Sequence, residues 1–95
     1  MIKYQPSIIT KDLEHCFICG KNNAEVHHVM FGVNRKKSTK YGLTVGLCVE
    51  HHRLGKNAPH TNREVDLEFK KFAQRKFEEI YGHEKWMKEF HRNYL

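Results

Sequence analysis

Two matched pairs of metal-binding side chains constrain this chain more than any other feature. Cys16 and Cys19 flank two residues and are followed at once by Gly20; Cys48 and His51 repeat the same two-residue spacing further on. Three thiolates and an imidazole make the tetrahedral Cys3His set that zinc accepts, and Gly20 supplies a turn of the knuckle type, in which backbone amides approach the sulfurs. Small unpaired core cysteines are the alternative, and two equal spacings beside a turn glycine argue against it. The interval from Gly20 to Leu47 is longer than in a simple zinc ribbon, so something is built between the two knuckles. An odd count of three cysteines cannot pair fully as disulfides within one chain, which points to a reducing, cytoplasmic setting where thiols serve as metal ligands.

A chain of 95 residues suits one domain with a small core, which a metal would usefully staple. Lys and Arg number 17 against 11 Asp and Glu, and the net charge of +6 points toward a polyanionic partner. Lysines that merely solubilise helix faces would account for much of the C-terminal half equally well. The N-terminus has no apolar core of a signal peptide and no stretch nears the roughly 20 apolar residues of a membrane span, so no membrane partner is expected.

Along the chain, residues 1–14 read as a lead-in strand or arm, with Pro6 against early helix and Ile8, Ile9 and Leu13 available to cover a core. Val26 and Val29 around a His-His pair mark a short strand over 25–31, and "LTVGLC" over 43–48 a second. Between them the basic stretch bounded by Gly32 and Gly42 is expected as an exposed loop, making a hairpin. "VEHHRL" has room for one or two helical turns before Gly55 and Pro59. From Thr61 the pattern is helical: "TNRE" reads as a capping box with Thr61 as cap, Val65, Phe69, Phe72, Ala73, Phe77 and Ile80 recur at helical spacing, and Gly82 closes the helix. A last short helix offers Trp86, Met87 and Phe90 on one face, as core packing. The fold class is therefore α+β: a zinc-stabilised hairpin-helix core over 15–60 with C-terminal helices over 61–95.

Four histidines stand close to this scaffold: His27, His28, His52 and His60. With His51 on zinc, His52 points elsewhere from the same helical turn, and a second, open site can form there. A strand histidine could take a proton from water while His52 and His60 hold a divalent ion that neutralises a phosphate. Adjacent strand residues face opposite sides, so at least one ring of the His27–His28 pair needs a polar reason to be buried. His15, His83 and His91 read as surface residues and receive no role.

Cys16-x-x-Cys19-Gly20, Val26-His27-His28, the basic stretch, Leu47-Cys48-x-x-His51-His52 and the later His60 together resemble the HNH (ββα-metal, His-Me finger) endonucleases. They resemble most the zinc-stapled phage branch that includes the recombination-enhancement nucleases. The similarity spans roughly Cys16 to His60 and is specific only in combination. It implies that His28 is the general base, that His27, His52 and His60 hold a catalytic Mg2+, Mn2+ or similar ion, and that Cys16, Cys19, Cys48 and His51 hold a structural Zn2+. The implied activity is metal-dependent hydrolysis of DNA phosphodiesters with low sequence specificity, in phage or prophage DNA metabolism. Arg35, Lys36, Lys37 and Arg53 would grip phosphates. DNA is the implied partner, together with a phage recombinase or packaging protein. The alternative is a noncatalytic zinc-stabilised DNA-binding or recombination adaptor module. The chain departs from the pattern in having no Asn near Leu43 and Thr44, which leaves a backbone carbonyl or Asn34 to orient the base, and in separating His52 from His60 by Gly55 and Pro59, so that His60 must reach the ion from a loop.

Overall fold

The computed structural model describes residues 7–95. Pro6 and the start of the expected arm lie outside them. From residue 7 the arm is irregular and not a strand, but it is tied down: the Ile8 amide donates to the Gly42 carbonyl at 2.9 Å and the Ser7 hydroxyl donates to the Thr44 carbonyl at 2.5 Å. Ile8 and Ile9 pack against the core as expected.

Strands β1 (Glu25–His28) and β2 (Thr44–Leu47) form a two-stranded antiparallel sheet in which Glu25 faces Leu47, His27 faces Val45 and His28 faces Thr44. The stretch between them is not the exposed loop its charge suggested. A 3-10 turn (Gly32–Asn34) leads into helix α1 (Arg35–Lys40). The reason lies in Ser38, which is fully buried: its hydroxyl donates to the Leu43 carbonyl at 2.6 Å and accepts from the Met30 amide at 3.3 Å, clamping the turn of helix onto both strand ends. Lysine and arginine are good helix formers, and here they flank that one inward residue.

After β2 the chain makes a single π turn, Glu50–Leu54, closed by the Gly55 amide on the Glu50 carbonyl at 2.8 Å. Gly55 is required there by contact, because a Cβ would stand 2.4 Å from the Glu50 carbonyl oxygen. Helix α2 (Arg63–Tyr81) follows, and its cap is Asn62 where Thr61 was expected. The Asn62 side-chain oxygen accepts from the Glu64 and Val65 amides at 3.0 and 3.3 Å, whereas the Thr61 hydroxyl is drawn back to the Gly55 carbonyl at 2.5 Å. An asparagine cap is thus used one residue later, while the threonine closes the loop. Gly82, at φ 88°, ends α2 and admits helix α3 (His83–Phe90).

Phe69, Ala73 and Phe77 of α2 and Trp86 and Phe90 of α3 bury against Val29, Met30, Leu43, Val45 and Leu47 of the hairpin, as their helical spacing predicts; Ile80 instead faces solvent. The result is a small mixed α+β unit. Among the described residues no helix is long and apolar enough to cross a membrane.

Candidate functional site

Gly46 explains how the two cysteine-bearing segments meet. A Cβ on it would lie 2.6 Å from the Leu13 carbonyl oxygen and 2.8 Å from that of His15, so only glycine lets residues 13–17 cross β2, where the Phe17 amide donates to the Gly46 carbonyl at 2.7 Å. That crossing delivers Cys16 and Cys19 to Cys48 and His51. Cys19 Sγ is 3.7 Å from Cys48 Sγ, and His51 Nδ1 is 3.6 Å from Cys16 Sγ and 3.2 Å from Cys48 Sγ. Four ligands around a tetrahedral zinc, with metal–sulfur near 2.3 Å, would stand about 3.7–3.8 Å apart for sulfur pairs and about 3.5–3.6 Å for sulfur and nitrogen. The cluster Cys16, Cys19, Cys48 and His51 therefore could bind a structural metal such as zinc.

The electrostatics agree. Burial raises the Cys16 thiol, but amides of Cys48, Cys19 and Ile18 outweigh it and bring its pKa to about 6. Cys19 is favoured as thiolate by the Lys21 amide, yet desolvation and the neighbouring Cys16 and Cys48 sulfurs hold it above the ordinary value. Repulsion among gathered thiolates is what a bound cation relieves.

The second cluster begins one residue after His51. Successive residues on a helical turn diverge by roughly 100°, so His51 faces the sulfurs while His52 faces β1. There His52 Nε2 is 3.1 Å from His60 Nε2, and the His27 ring centroid lies 5.0 and 5.1 Å from those of His52 and His60. Ligand nitrogens of the three fall within 4.8 Å of one another. Two nitrogens on one ion, each near 2.1 Å, would be about 3.0–3.4 Å apart. His60 does reach this point from a loop, held by its amide to the His52 carbonyl at 3.4 Å.

His27 is 1% exposed, and among the described residues its buried Nε2 meets no hydrogen-bond partner. Burial, followed by the charges of His52, His60 and His28, lowers its pKa to about 3, so it stays a neutral imidazole with a lone pair to give. An orphaned buried nitrogen costs about 1–3 kcal/mol unless something accepts it, and a cation facing His52 and His60 would. The donor set fits a divalent ion.

One residue in this arrangement escaped the sequence reading. Glu25 Oε1 accepts from His52 Nδ1 at 2.9 Å, which leaves His52 Nε2 as the bare nitrogen, and Arg53 fixes the same carboxylate through Nε and Nη2, each at 3.1 Å. Hydrogen bonds from Arg53 and His52, in that order, depress the Glu25 pKa to about 2. A carboxylate behind a ligating imidazole is the usual second layer of a metal site. The signal was present as Glu25 standing two residues before His27, hence on the same strand face.

His28, assigned as base, shares the cleft of about 160 Å³ that Val26, His27, Phe31, Arg35, His52 and His60 also line. Burial first, then the Arg35 and His52 charges, keep its pKa below the usual histidine value. Thr44 stands opposite His28 across the sheet, where the expected asparagine is missing, and Asn34 ends the 3-10 turn. The four cations singled out for phosphates separate. Arg35 lines the cleft and Lys36 is exposed on α1, but Lys37 Nζ donates to the Glu89 carbonyl at 2.5 Å and Arg53 is committed to Glu25. Among the residues given no role, His15 pairs with Asp12 at 2.6 Å, His83 with Glu78 at 2.8 Å, and His91 caps α3.

A larger groove, about 680 Å³, lies between Phe17 and Ile18 of the knuckle and Val65, Leu67 and Phe72 of α2. It is apolar, and the clustered imidazoles lie outside it. Comparison with protein-family models, with curated proteins and with solved structures finds no match to this chain.

Proposed function

We propose that the chain is a metal-dependent DNA endonuclease of the HNH (ββα-metal) type, similar to the zinc-stapled phage branch. The observation that carries this reading is the convergence of His27, His52 and His60 on one point in a cleft that also holds His28 and Arg35. A hairpin followed by a short helical turn, with histidines on the first strand and on the turn, is the arrangement that the resemblance leads one to expect.

On this reading a divalent cation, when bound by the three histidines, supplies positive charge against a phosphodiester and its departing oxygen. His28, whose pKa burial holds below the usual histidine value, accepts a proton from the water whose oxygen forms the new bond to phosphorus as the ester bond breaks. Arg35 stands at the cleft to contact a phosphate oxygen, and Lys36 and Lys40 on the exposed side of α1 extend the positive surface along the backbone. Such contacts read little sequence, so specificity is set by DNA shape or by a partner such as a phage recombinase.

The test is nicking of supercoiled plasmid by the zinc-loaded chain with Mg2+, Mn2+ or Ni2+. Native protein should nick with at least one of these ions, and His28→Ala should lower the rate on the order of 10²–10⁴-fold without losing the second ion. Equal cleavage by both proteins would remove His28 as the base. DNA binding with no cleavage under any ion would instead favour a noncatalytic zinc-stabilised binding module or recombination adaptor.

A further inference from the structure

Phe31, Gly32 and Val33 stand where the chain leaves β1 and turns into α1, and all three are exposed. Val33 is 98% exposed and Phe31 39%, although both side chains are large and apolar. Gly32 has φ 68°, in the left-handed region, and a Cβ placed on it would meet nothing within 4 Å, so the turn projects clear of the rest of the molecule at that point. One exposed aliphatic is ordinary on a protein surface. Two observations make this tip different.

Its base is a wall of the histidine cleft. The Phe31 ring lines that cleft beside Arg35 and His28, with its centroid 5.3 Å from that of His60 and 6.1 Å from that of His27. Cations also flank it. Lys70 Nζ sits 4.2 Å over the Phe31 ring, Arg35 follows Val33 by two residues, and Lys36 and Lys40 continue along the exposed side of α1. Asp66 offsets Lys70, with which it pairs, but among the described residues no acidic side chain pairs with Arg35, Lys36 or Lys40. An apolar point between cations is complementary to a surface with negative edges and an apolar interior. Duplex DNA has that order, with phosphates along each strand and stacked bases between them. An anionic lipid surface shares it, but a tip whose base is the wall of a cleft holding His28 and Arg35 favours DNA.

We propose that Val33 and Phe31 are an apolar wedge that enters duplex DNA between neighbouring base pairs beside the phosphate at the cleft, selecting duplexes that unstack easily: pyrimidine–purine steps, mismatches and bulges. This rests on the reading of the cleft as a DNA site and deepens it, because it names the feature of DNA shape that is read. Val33 leads and Phe31 follows, while Arg35 meets the adjoining phosphate. A site whose stack is already weak needs less deformation, so it is bound more tightly although no base edge is contacted.

The experiment is fluorescence anisotropy of the zinc-loaded full chain, native and Val33→Ser, on two duplexes of equal length, one fully paired and one with a central mismatch, each carrying 2-aminopurine at the centre. Because Val33 is almost wholly exposed, the variant keeps the fold. Native protein should bind the mismatched duplex about 10-fold or more tighter than the paired one, and the 2-aminopurine signal should rise as its base unstacks. Val33→Ser should bring the two affinities within about twofold and lose the rise, while the slope of log K against log salt stays the same, since no cation is removed. Binding by native protein with no preference and no rise, or a preference and rise kept in Val33→Ser, would overturn the wedge and leave the nuclease reading standing. The expected binding pattern without nicking under any divalent ion would uphold the wedge and defeat the nuclease reading. No binding of DNA by native protein would defeat both. Native protein and Val33→Ser are also sedimented with anionic phospholipid vesicles; binding there that the serine abolishes, with DNA binding unchanged, would assign the tip to a membrane and overturn the proposal.

Discussion

Glu25 joins the histidine cluster to a guanidinium, and its removal separates positioning from charge. Glu25→Ala leaves His52 free to take either tautomer, so affinity for the second ion should fall on the order of 10–100-fold while the Cys3His metal stays bound; titration of the zinc-loaded protein checks it. Arg53 is expected to act through Glu25 and not through DNA, because both of its bonded nitrogens face that carboxylate. In salt-dependent DNA binding, Arg35→Ala should reduce the slope of log K against log salt by about one, and Arg53→Ala should leave it unchanged. The ligand residues were legible because spacing alone pairs Cys16 with Cys19 and Cys48 with His51. Glu25 was missed because its partner His52 stands 27 positions away, and the only local signal was its place two residues before His27 on the same strand face.

Among the elements, the π turn and the crossing at β2 depend on two glycines with ordinary φ that are required by contact. Gly55→Ala drives a methyl against the Glu50 carbonyl and should widen the turn that carries both His51 and His52. Gly46→Ala drives one against the Leu13 and His15 carbonyls. Each should cost about 1–3 kcal/mol or more, as overpacking does, read as a shift in denaturant midpoint with metal bound. Asn62→Ala, which removes a side-chain cap without touching either site, should cost about 1 kcal/mol. Strands, α2 and α3 were legible from alternation and helical spacing. The helix α1 was hidden because a run of Lys and Arg between glycines signals solvent exposure in either conformation, and only the inward Ser38 distinguishes them. The cap at Asn62 was hidden for a similar reason, since Thr61 and Asn62 are both good caps and the choice is made by the Gly55 carbonyl that captures the threonine.

At the scale of the molecule, the two clusters share one π turn but differ in what depends on them. The Cys3His set ties the N-terminal segment to the end of β2, so stripping its metal with a strong chelator should unfold the chain or broaden its transition, visible in far-UV circular dichroism. Emptying the histidine cluster should leave the fold intact, because β1, β2 and the core against α2 and α3 persist without it. The proposed asymmetry rests on ligand chemistry, since a closed Cys3His set suits a structural zinc whereas three imidazoles leave a coordination position open. Native mass spectrometry of the full chain tests it most directly. The account predicts one retained zinc plus one exchangeable ion, with His52→Ala losing only the second; a single ion in the native protein, or loss of both ions from His52→Ala, would contradict it.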